Sequence, residues 1–446
     1  MKRVAFHNLG CKVNAYETEA MQQRLKEAGY QIVGFEEEAD VYIINTCTVT
    51  NIADRKSRQM LHRAKKRNPQ AVVVAAGCYV QASKDACEAD DAVDLVIGNN
   101  RKHEIVSILE AFWQRQVLED VIDINCTKEY EDMPIVRLEN HTRAIVKVQD
   151  GCNQFCTYCI IPYVRGRVRS RTLESVWKEA VVLAEQGYKE IVLTGIHLSS
   201  YGVDFKEEGK KADLLSLIKE LHRISGIERI RLGSLEPRII TEEWVSELCR
   251  LPKVCPHFHL SLQSGCDSVL QRMNRHYGTQ EYLEKCEILR KFYDNPAITT
   301  DIIVGFPGET KEEFLVTKKY LEQVYFFEMH IFKYSKRSGT KAAALPNQIE
   351  ESVKAERSNE LLELEKKMSA AYREQWIGKT VTVLLEELAA VGQVYGWVGY
   401  TREYVKVILP VFFKKEEEKT QAGQIVKVKL VGYVTEEILL GEIVVS

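Results

Sequence analysis

The sequence predicts an α/β protein in three parts: an open parallel α/β domain, a partial (β/α) barrel and a small antiparallel β-barrel. Short apolar runs alternate with helical stretches from residue 1 to about 125 and again from 138 to about 345. This alternation is typical of parallel strands that are joined by helices. From Trp376 onward, short alternating strands follow one another, with Gly or Pro at several turns. Five strands of this kind form a small barrel.

Length and composition set the outer limits of the prediction. The chain has 446 residues, 45% of them hydrophobic and 28% charged, so it needs more than one core. We expect domains at 1–125, 138–370 and 376–446, with the polar segment 126–137 as a linker. The sequence has neither an apolar run that could span a membrane nor the apolar region of a signal peptide. We therefore expect a cytoplasmic protein with no membrane partner, and nothing in the sequence demands more than a monomer.

Three cysteines in the first part share one position relative to the predicted strands. Cys11, Cys47 and Cys78 each follow the C-terminal end of a strand, in VAFHNLG, DVYIINTCTV and AVVVAAGC respectively. Ligands gather at that edge of an open parallel sheet. Core cysteines have no reason to fall there three times, and disulfides are not expected in a reducing compartment. The three residues are therefore predicted to be a ligand set.

The second part carries polar and glycine residues at the ends of its predicted strands. Six candidate strands run from TRAIVKVQD to EMHIFKYS, and a long charged helix at about 350–376 leads out of them. In a barrel of this kind the working loops lie at the C-terminal ends of the strands. An inward-facing glutamine such as Gln263, within an apolar run, is better suited to a site than to the core. The candidate site residues at these ends are Thr194, Gly195, Glu236, Ser261, Gln263 and Gly305.

A second cysteine group follows the first strand of the barrel. Cys152, Cys156 and Cys159 have the spacing C-x3-C-x2-C, with the aromatic Tyr158 before the last cysteine. Three thiolates on a four-iron cluster leave one iron open to another ligand, as an open catalytic zinc site does. The alternative is a zinc knuckle with a remote fourth ligand. The other six cysteines belong to no motif and are expected in the core: Cys87, Cys126, Cys249, Cys255, Cys266 and Cys286.

These motifs together resemble the radical S-adenosylmethionine (SAM) methylthiotransferases over nearly the whole chain. The resemblance implies a 4Fe–4S cluster on Cys152, Cys156 and Cys159 that cleaves SAM. It also implies an auxiliary 4Fe–4S cluster on Cys11, Cys47 and Cys78, and a C-terminal barrel of the TRAM type. The residues that would contact SAM are Tyr158, Thr194, Gly195, Glu236, Ser261, Gln263 and Gly305.

The opening stretch NLGCKVNAYETEA is similar to the branch of that family that acts on N6-threonylcarbamoyladenosine in tRNA. The stretch FKYSKRSGTKAA also fits, although Ser338 stands where the family often has proline. The resemblance implies transfer of a methylthio group to C2 of the base next to the anticodon. Its partners would be the tRNA anticodon loop, an electron donor of the flavodoxin or ferredoxin type and a sulfur donor. The alternatives are another tRNA adenosine, a ribosomal-protein side chain, or a zinc-containing protein that only binds RNA.

Basic residues are clustered locally although the net charge is −3. The clusters 55–67 and 165–171 and the tail barrel are candidate RNA-binding surfaces. A charge run is equally typical of a solvated helix face, and strand periodicity favours a core position for Trp397. The candidate contacts are Arg55, Lys56, Arg58, Arg165, Arg167, Lys379, Arg402 and Lys406, with Lys427 and Lys429 as further cations and Tyr395, Trp397 and Tyr404 for stacking on bases.

Overall fold

The first part of the chain is an open sheet of five parallel strands in the order β2-β1-β3-β4-β5. The computed structural model describes residues 1–116, 121–135, 142–207, 212–411 and 421–444. The central strands β3 and β4 are buried along their whole length, which suits their continuous apolar sequences. The short strands β2 and β5 were not predicted. The elements are β1 Arg3–Asn8, α1 Lys12–Glu27, β2 Gln31–Val33, β3 Val41–Thr46, α2 Asn51–Arg67, β4 Val72–Gly77, α3 Cys78–Ala82, α4 Lys84–Glu88, β5 Leu95–Ile97 and α5 Ile105–Trp113.

The second part is a partial barrel, and it contains all six predicted strands. Two sheets, β7-β6-β8-β9 and β10-β11-β12, are joined by bridges such as Ile230 to Val254. The strand β7 is a short antiparallel addition to the end of β6. The elements are β6 Arg143–Asp150, α6 Ile161–Val164, β7 Arg169–Ser170, α7 Leu173–Glu185, β8 Glu190–Gly195, α8 Val203–Glu207, α9 Leu214–His222, β9 Arg229–Leu232, α10 Glu242–Cys249, β10 His257–His259, α11 Asp267–Arg272, α12 Thr279–Phe292, β11 Ala297–Val304, α13 Lys311–Val324, β12 Glu328–Lys333 and α14 Glu351–Glu374.

The strands of this barrel have one apolar and one polar face. On β6, Ala144, Val146 and Val148 belong to the hydrophobic core shared with the surrounding helices. The residues that alternate with them are Arg143, Ile145, Lys147 and Gln149, which point the other way because successive side chains of a strand lie on opposite faces. The inward face of β6 is therefore mostly polar.

The tail is a closed barrel of five strands in the order β13-β14-β15-β17-β16. Its neighbours pair antiparallel except β15 and β17, which are parallel; the expectation of a wholly antiparallel barrel is corrected in that one pair. The tail packs on the central barrel through arginines: Arg229 donates to the carbonyl oxygen of Thr382 at 2.8 Å. The strands are β13 Thr380–Val391, β14 Val394–Thr401, β15 Lys406–Pro410, β16 Ile425–Thr435 and β17 Ile438–Ile443.

The predicted linker is irregular, but its described residues are packed rather than free. Met133 and Ile135 are buried in the core of the central barrel, and the hydroxyl of Tyr16 donates to the carbonyl oxygen of Met133 at 2.9 Å. Residues 136–141, which include the end of the predicted linker and the start of the predicted second domain, lie outside the described residues. Among the described helices, none is both long and apolar enough to cross a membrane.

Candidate functional site

The first cysteine triad lies at the C-terminal edge of the N-terminal sheet, as predicted from its positions. Cys47 and Cys78 follow β3 and β4 directly, and Cys11 follows β1 after Leu9 and Gly10. Gly10 takes a φ of +105° before Cys11, and a Cβ atom there would lie 3.0 Å from Sγ of Cys47. A side chain at this turn would therefore push into the space beside a candidate ligand, which is a reason for glycine there.

The thiols of this triad are free and suited to an anionic cluster. None of the twelve cysteines is in a disulfide, and burial raises the pKa of Cys47 to about 11. Binding of a metal cluster would replace those thiol protons. The sulfur of Cys78 already accepts from Nε of Arg165 at 3.2 Å and from Nδ2 of Asn99 at 3.5 Å. Donors of this kind stabilise negative charge on a cluster sulfur.

The second triad is wound into the loop after β6. Cys152 and Cys156 are buried and Cys159 is half-buried. The amide of Cys159 donates to the carbonyl oxygen of Cys156 at 3.0 Å. Burial, with a smaller contribution from the nearby Cys156, raises the pKa of Cys152 to about 11 and that of Cys159 to about 12. Cys156 is therefore close to both of the other thiols, as ligands of a single cluster must be.

The two triads are neighbours across the boundary between the first two parts. Cys78 packs against Ile160, Ile161 and Val164, the residues that follow Cys159 in the chain. Arg165, next in sequence, donates to the sulfur of Cys78. One loop therefore carries a ligand of the second triad at its start and a donor to the first triad at its end.

Arg165 also corrects a prediction, because it is buried and cannot be a surface contact for RNA. Its guanidinium donates to the carboxylates of Glu17 and Asp150 and to the side-chain oxygen of Asn14. The basic run RGRVRSR gave no sign of this, because the sequence does not show where the acceptors of its arginines lie. Arg167 from the same run is exposed, as expected for an RNA contact.

Glu17 is the centre of this buried charge network. It forms ion pairs with Lys102, with Lys147 at 2.7 Å and with Arg165. Burial alone would raise the pKa of Glu17, but the three cations hold it well below its ordinary value. The network joins α1, the segment after β5, β6 and the loop of the second triad. It therefore fixes the first two parts of the chain against each other.

The predicted SAM-contacting residues lie at the C-terminal ends of neighbouring barrel strands. Thr194, Glu236 and Gln263 are buried there. Gln263 has a φ of +74°, and its amide donates to the carbonyl oxygen of Asp301 at 2.9 Å. Left-handed backbone at a residue other than glycine is a strain that is found at functional sites. No hydrogen bond of the Gln263 side-chain amide is found among the described residues, so this group is available to a ligand.

Other members of this set already have partners in the protein. Glu236 pairs with Nε of Arg238 at 2.7 Å. The carbonyl oxygen of Ser261 accepts from the hydroxyl of Tyr277. Gly195 and Gly305 are close to side chains rather than to open space: a Cβ on Gly195 would lie 2.8 Å from Oε1 of Gln149, and one on Gly305 would lie 2.3 Å from Cγ of Lys354.

Tyr158 contributes a partly buried wall beside the second triad. It packs against the apolar group that contains Met273, Phe306 and Tyr334. This places an aromatic ring between the cysteine loop and the ends of β11 and β12.

Several residues around the site had no signal in the sequence. Arg275 donates to the sulfur of Cys156 at 3.1 Å although the two are 119 residues apart. Gln149 accepts from the amide of His197 and donates to the carbonyl oxygen of Gly151, both at 2.7 Å, which ties the cysteine loop to the end of β8. Contacts over such separations depend on the fold and not on a local motif.

The tail residues proposed for RNA contact divide into two groups. Arg402 donates to the carbonyl oxygens of Pro252 and Val254 at 2.6 and 2.7 Å, so its prediction is corrected to an anchor of the tail. Tyr404 is stacked on Tyr400 at 4.6 Å, and Trp397 is in the tail core, as its periodicity favoured. Lys406 is half-buried. Among all the candidate RNA contacts, in the tail and in the other two parts, those that remain exposed are Arg55, Lys56, Arg58, Arg167, Lys379, Tyr395, Lys427 and Lys429.

The cysteines outside the two triads include one exception to the predicted core positions. Cys87, Cys255, Cys266 and Cys286 are buried and Cys249 is half-buried, but Cys126 is exposed. Its thiol donates to Asp123 at 3.3 Å, so it is a surface residue of the connecting segment.

A C-x3-C-x2-C loop after the first strand of a partial barrel defines a protein of the radical SAM class. The family model "Radical SAM superfamily" matches residues 146–321, and the model "Uncharacterized protein family UPF0004" matches residues 3–98. The solved structure of the radical SAM methyltransferase TsrM from Kitasatospora setae has a similar fold, with a TM-score of 0.57 and 13% identity over 74% of this chain and 75% of that chain.

Within this class the full length of the chain points to one family. It is 43% identical to threonylcarbamoyladenosine tRNA methylthiotransferase MtaB of Bacillus subtilis, over 96% of this chain and 94% of the relative. It is 38% identical to tRNA-2-methylthio-N(6)-dimethylallyladenosine synthase of Thermoanaerobacter sp., over 87% and 83%. The protein therefore belongs to the radical SAM tRNA methylthiotransferases, a family of transferases that uses SAM and 4Fe–4S clusters.

Replacement of Glu17 by Ala tests the buried network. It leaves Lys102, Lys147 and Arg165 with too little negative charge in a dry environment, so the free energy of unfolding should fall by about 3–5 kcal/mol. Urea unfolding of the reduced protein without clusters, followed by circular dichroism, measures it. Glu27→Ala is the matched control, since Glu27 is exposed on the same helix. Equal stability of the two variants would contradict the role given to Glu17.

Proposed function

We propose that this protein transfers a methylthio group to C2 of N6-threonylcarbamoyladenosine next to the anticodon of tRNA. The observation that carries the proposal is the contact between the two cysteine triads, through Cys78, Ile160 and Arg165. A reaction that needs a radical and a sulfur donor at one carbon atom requires two such centres side by side. The activity named for the Bacillus subtilis relative supports the choice of substrate.

The two triads have the donor sets that two 4Fe–4S clusters would need. We propose Cys152, Cys156 and Cys159 as ligands of the cluster that works with SAM, and Cys11, Cys47 and Cys78 as ligands of the auxiliary cluster. When bound, cluster and SAM supply radical chemistry, which reaches an unactivated ring carbon that acid–base catalysis at neutral pH does not.

The surrounding residues support these ligands by charge and by exclusion of water. Arg275 donates to Cys156 and Arg165 donates to Cys78, so a cation would face each cluster. Cys47, Cys78, Cys152 and Cys156 are buried, which keeps bulk water away from the sulfurs and strengthens these hydrogen bonds. For SAM we propose contacts with Tyr158, Thr194, Gly195, Glu236, Ser261, Gln263 and Gly305, with the unpartnered amide of Gln263 as the leading donor.

We propose that the anticodon loop is held jointly by α2 and the tail. The exposed cations Arg55, Lys56 and Arg58 lie on α2, a helix that begins close after Cys47. Single-stranded loops are read by stacking and edge contacts, and the target base can swing out of its stack. On this proposal the units 1–125, 138–370 and 376–446 all contribute to one RNA site.

The remaining partners follow from the chemistry. The reaction needs an electron donor of the flavodoxin or ferredoxin type and a sulfur donor, and we propose a cytoplasmic location. The free state of all twelve cysteines supports a reducing compartment. Ribosomal-protein and zinc-only alternatives are not favoured, because both relatives reported above are named as enzymes that methylthiolate an adenosine of tRNA. The proposal is tested by mass spectrometry of tRNA nucleosides from cells with and without the gene.

Replacement of Cys156 by Ala should abolish SAM cleavage while the auxiliary cluster still assembles. Loss of one thiolate should release the cluster of its own triad, so roughly half the iron should remain. Iron analysis and chromatography of deoxyadenosine measure the two effects. The control is Cys286→Ala, another buried cysteine, which should keep all the iron. Normal cleavage of SAM by Cys156→Ala, or loss of all iron, would refute the two-site proposal.

Replacement of Cys47 by Ala should have the opposite signature. SAM should still be cleaved to deoxyadenosine, because the second triad is intact, but no methylthio product should form. Cys87→Ala, a buried cysteine in the same sheet domain, should retain product formation. A full yield of methylthiolated RNA from Cys47→Ala would show that Cys47 is an ordinary core residue.

Neutralising the exposed lysines of the tail should weaken RNA binding in a salt-dependent way. The variant combines Lys379→Ala, Lys427→Ala and Lys429→Ala. Each lost phosphate contact should lower the slope of log affinity against log salt by about one. Fluorescence anisotropy with an anticodon stem-loop at several salt concentrations measures this. The control variant Lys178→Ala, on the outer helix α7, should change neither the RNA affinity nor this slope. An unchanged slope in the triple variant would show that the RNA contacts only the first two parts of the chain.

A further inference from the structure

Three side chains that can bind a metal ion lie together on adjacent strands of the central barrel. His259 is on β10, Asp301 on β11 and His330 on β12, and one ligand atom from each lies within 4.8 Å of the other two. None of the three is a candidate cluster ligand or a member of the predicted SAM site. Two imidazoles and one carboxylate are a donor set for divalent transition metals.

The strand pairing puts these side chains on one face of the sheet. His259 pairs in register with Thr299, and Asp301 pairs with His330. Thr299 and Asp301 are two residues apart on β11, so they point to the same side. Ile302, the next residue on that strand, belongs to the hydrophobic core on the other side. The three candidate ligands therefore point away from the core and into the barrel.

The spacing of His259 and Asp301 is that of two ligands around one ion. Nε2 of His259 lies 3.3 Å from Oδ2 of Asp301, yet this nitrogen is buried and has no hydrogen-bond partner. The contact is therefore not an N–H group directed at the carboxylate. Two ligand atoms on a tetrahedral zinc ion are about 3.4 Å apart, because each lies about 2.1 Å from the metal. A metal ion between the two atoms would satisfy both of them.

The other ring nitrogen of His259 has the outer contact that metal-binding histidines usually have. Nδ1 lies 3.0 Å from the hydroxyl oxygen of Thr299. A ring that donates from Nδ1 to this oxygen has its lone pair on Nε2, the atom beside Asp301. An outer hydrogen bond of this kind fixes both the orientation and the tautomer of a ligand. Without a cation, two acceptor atoms would face each other across 3.3 Å.

The charge of Asp301 is not taken up by a lysine or an arginine. Among the described residues its one ion-pair contact is with His259. Arg231, on the neighbouring strand β9, is paired instead with Glu190 at 2.7 Å. The carboxylate therefore remains available to balance the charge of a bound ion.

The third ligand opens the site to solvent. His330 is exposed, and it lines a cleft of about 1290 Å³ with Glu328, Tyr404 and Lys406, between β12, α14 and the tail. Its side chain has room to rotate into contact with an ion that the other two residues hold. A zinc ion with three protein ligands keeps one position for water or another ligand.

We propose that His259, Asp301 and His330 bind a divalent first-row transition metal ion, with a coordination position open to this cleft. The ion is a third metal centre, distinct from the two cysteine triads, because its ligand atoms are nitrogen and oxygen instead of the thiolates that hold iron–sulfur clusters. It connects the three strands β10, β11 and β12.

The test is zinc binding by the holoenzyme, in which both triads hold clusters and their thiolates do not compete. Anaerobic protein is freed of loosely bound metal with EDTA and titrated with Zn²⁺ in a calorimeter. Zinc and iron are then counted by mass spectrometry after gel filtration. The wild type should bind one zinc ion per chain with no loss of iron. Imidazole and carboxylate donors suit zinc, which makes Zn²⁺ an appropriate probe.

Variants assign the zinc to these residues. Thr299→Val, which removes the outer hydrogen bond, should weaken zinc binding about 10- to 100-fold, and His330→Gln and Asp301→Asn should weaken it more. The matched control is His62→Gln. His62 lies 3.1 Å from Asp90 on the surface of α2, but this pair has no third ligand among the described residues, so the variant should bind zinc as the wild type does.

Iron content and circular dichroism are measured on every variant. His330 is exposed, so His330→Gln decides the matter if a substitution at Asp301 disturbs folding. The proposal is overturned if the wild type binds no zinc, or if His330→Gln binds it with unchanged affinity. Zinc uptake that releases iron would place the metal on the cysteines, and an equal loss of affinity in His62→Gln would place it on the surface. Either result would also refute the site.

Discussion

The buried ion pair between Glu17 and Arg165 is the interaction on which the arrangement of this protein depends. Glu17 lies on the helix that follows Cys11, and Arg165 ends the loop that contains Cys159. The pair therefore connects a ligand-bearing segment of each triad. Breaking a buried pair leaves a charge without compensation, which is strongly destabilising. The two triads are consequently held in one fixed relation, as a reaction between groups on both requires.

The same network gives the site its electrostatic character. Lys102, Lys147 and Arg165 share two carboxylates, those of Glu17 and Asp150, so the buried cluster has a surplus of positive charge. The positively charged guanidinium of Arg165 donates a hydrogen bond to the sulfur of Cys78. A hydrogen-bond donor of this kind stabilises negative charge on the sulfur of a cluster ligand. The network thus has two effects. It fixes the first two parts of the chain against each other, and it places a cation beside the first triad, where an anionic cluster would bind.

What the sequence could predict depended on whether the signal was local. The cysteine spacings, the six barrel strands and the five tail strands are local patterns, and each is present in the structure. Arg165 was misassigned because a basic run has the same letters whether its acceptors are phosphates or buried carboxylates. Arg275 was missed because its contact with Cys156 joins residues 119 positions apart. Arg402 was also misassigned because its partners are distant in sequence. Its acceptors are the carbonyl oxygens of Pro252 and Val254, which it reaches only when the tail packs on the central barrel.

Strand alternation explains why the interior of the barrel has polar groups at both ends. Residues that alternate with the apolar core positions point inward, and in this chain many of them are polar, although Ile145 on β6 and Val192 on β8 are apolar. At the C-terminal ends, Gln263 adopts strained backbone, and its side-chain amide has no hydrogen bond among the described residues. At the opposite end, Arg143 and Arg231 are neutralised by Glu386 and Glu190. The polar residues at this end also hold the tail against the barrel, because Glu386 lies on β13 and Arg231 donates to the carbonyl oxygen of Arg402 at 2.9 Å. At the other end of β6, Gln149 holds the cysteine loop by donating to the carbonyl oxygen of Gly151 at 2.7 Å.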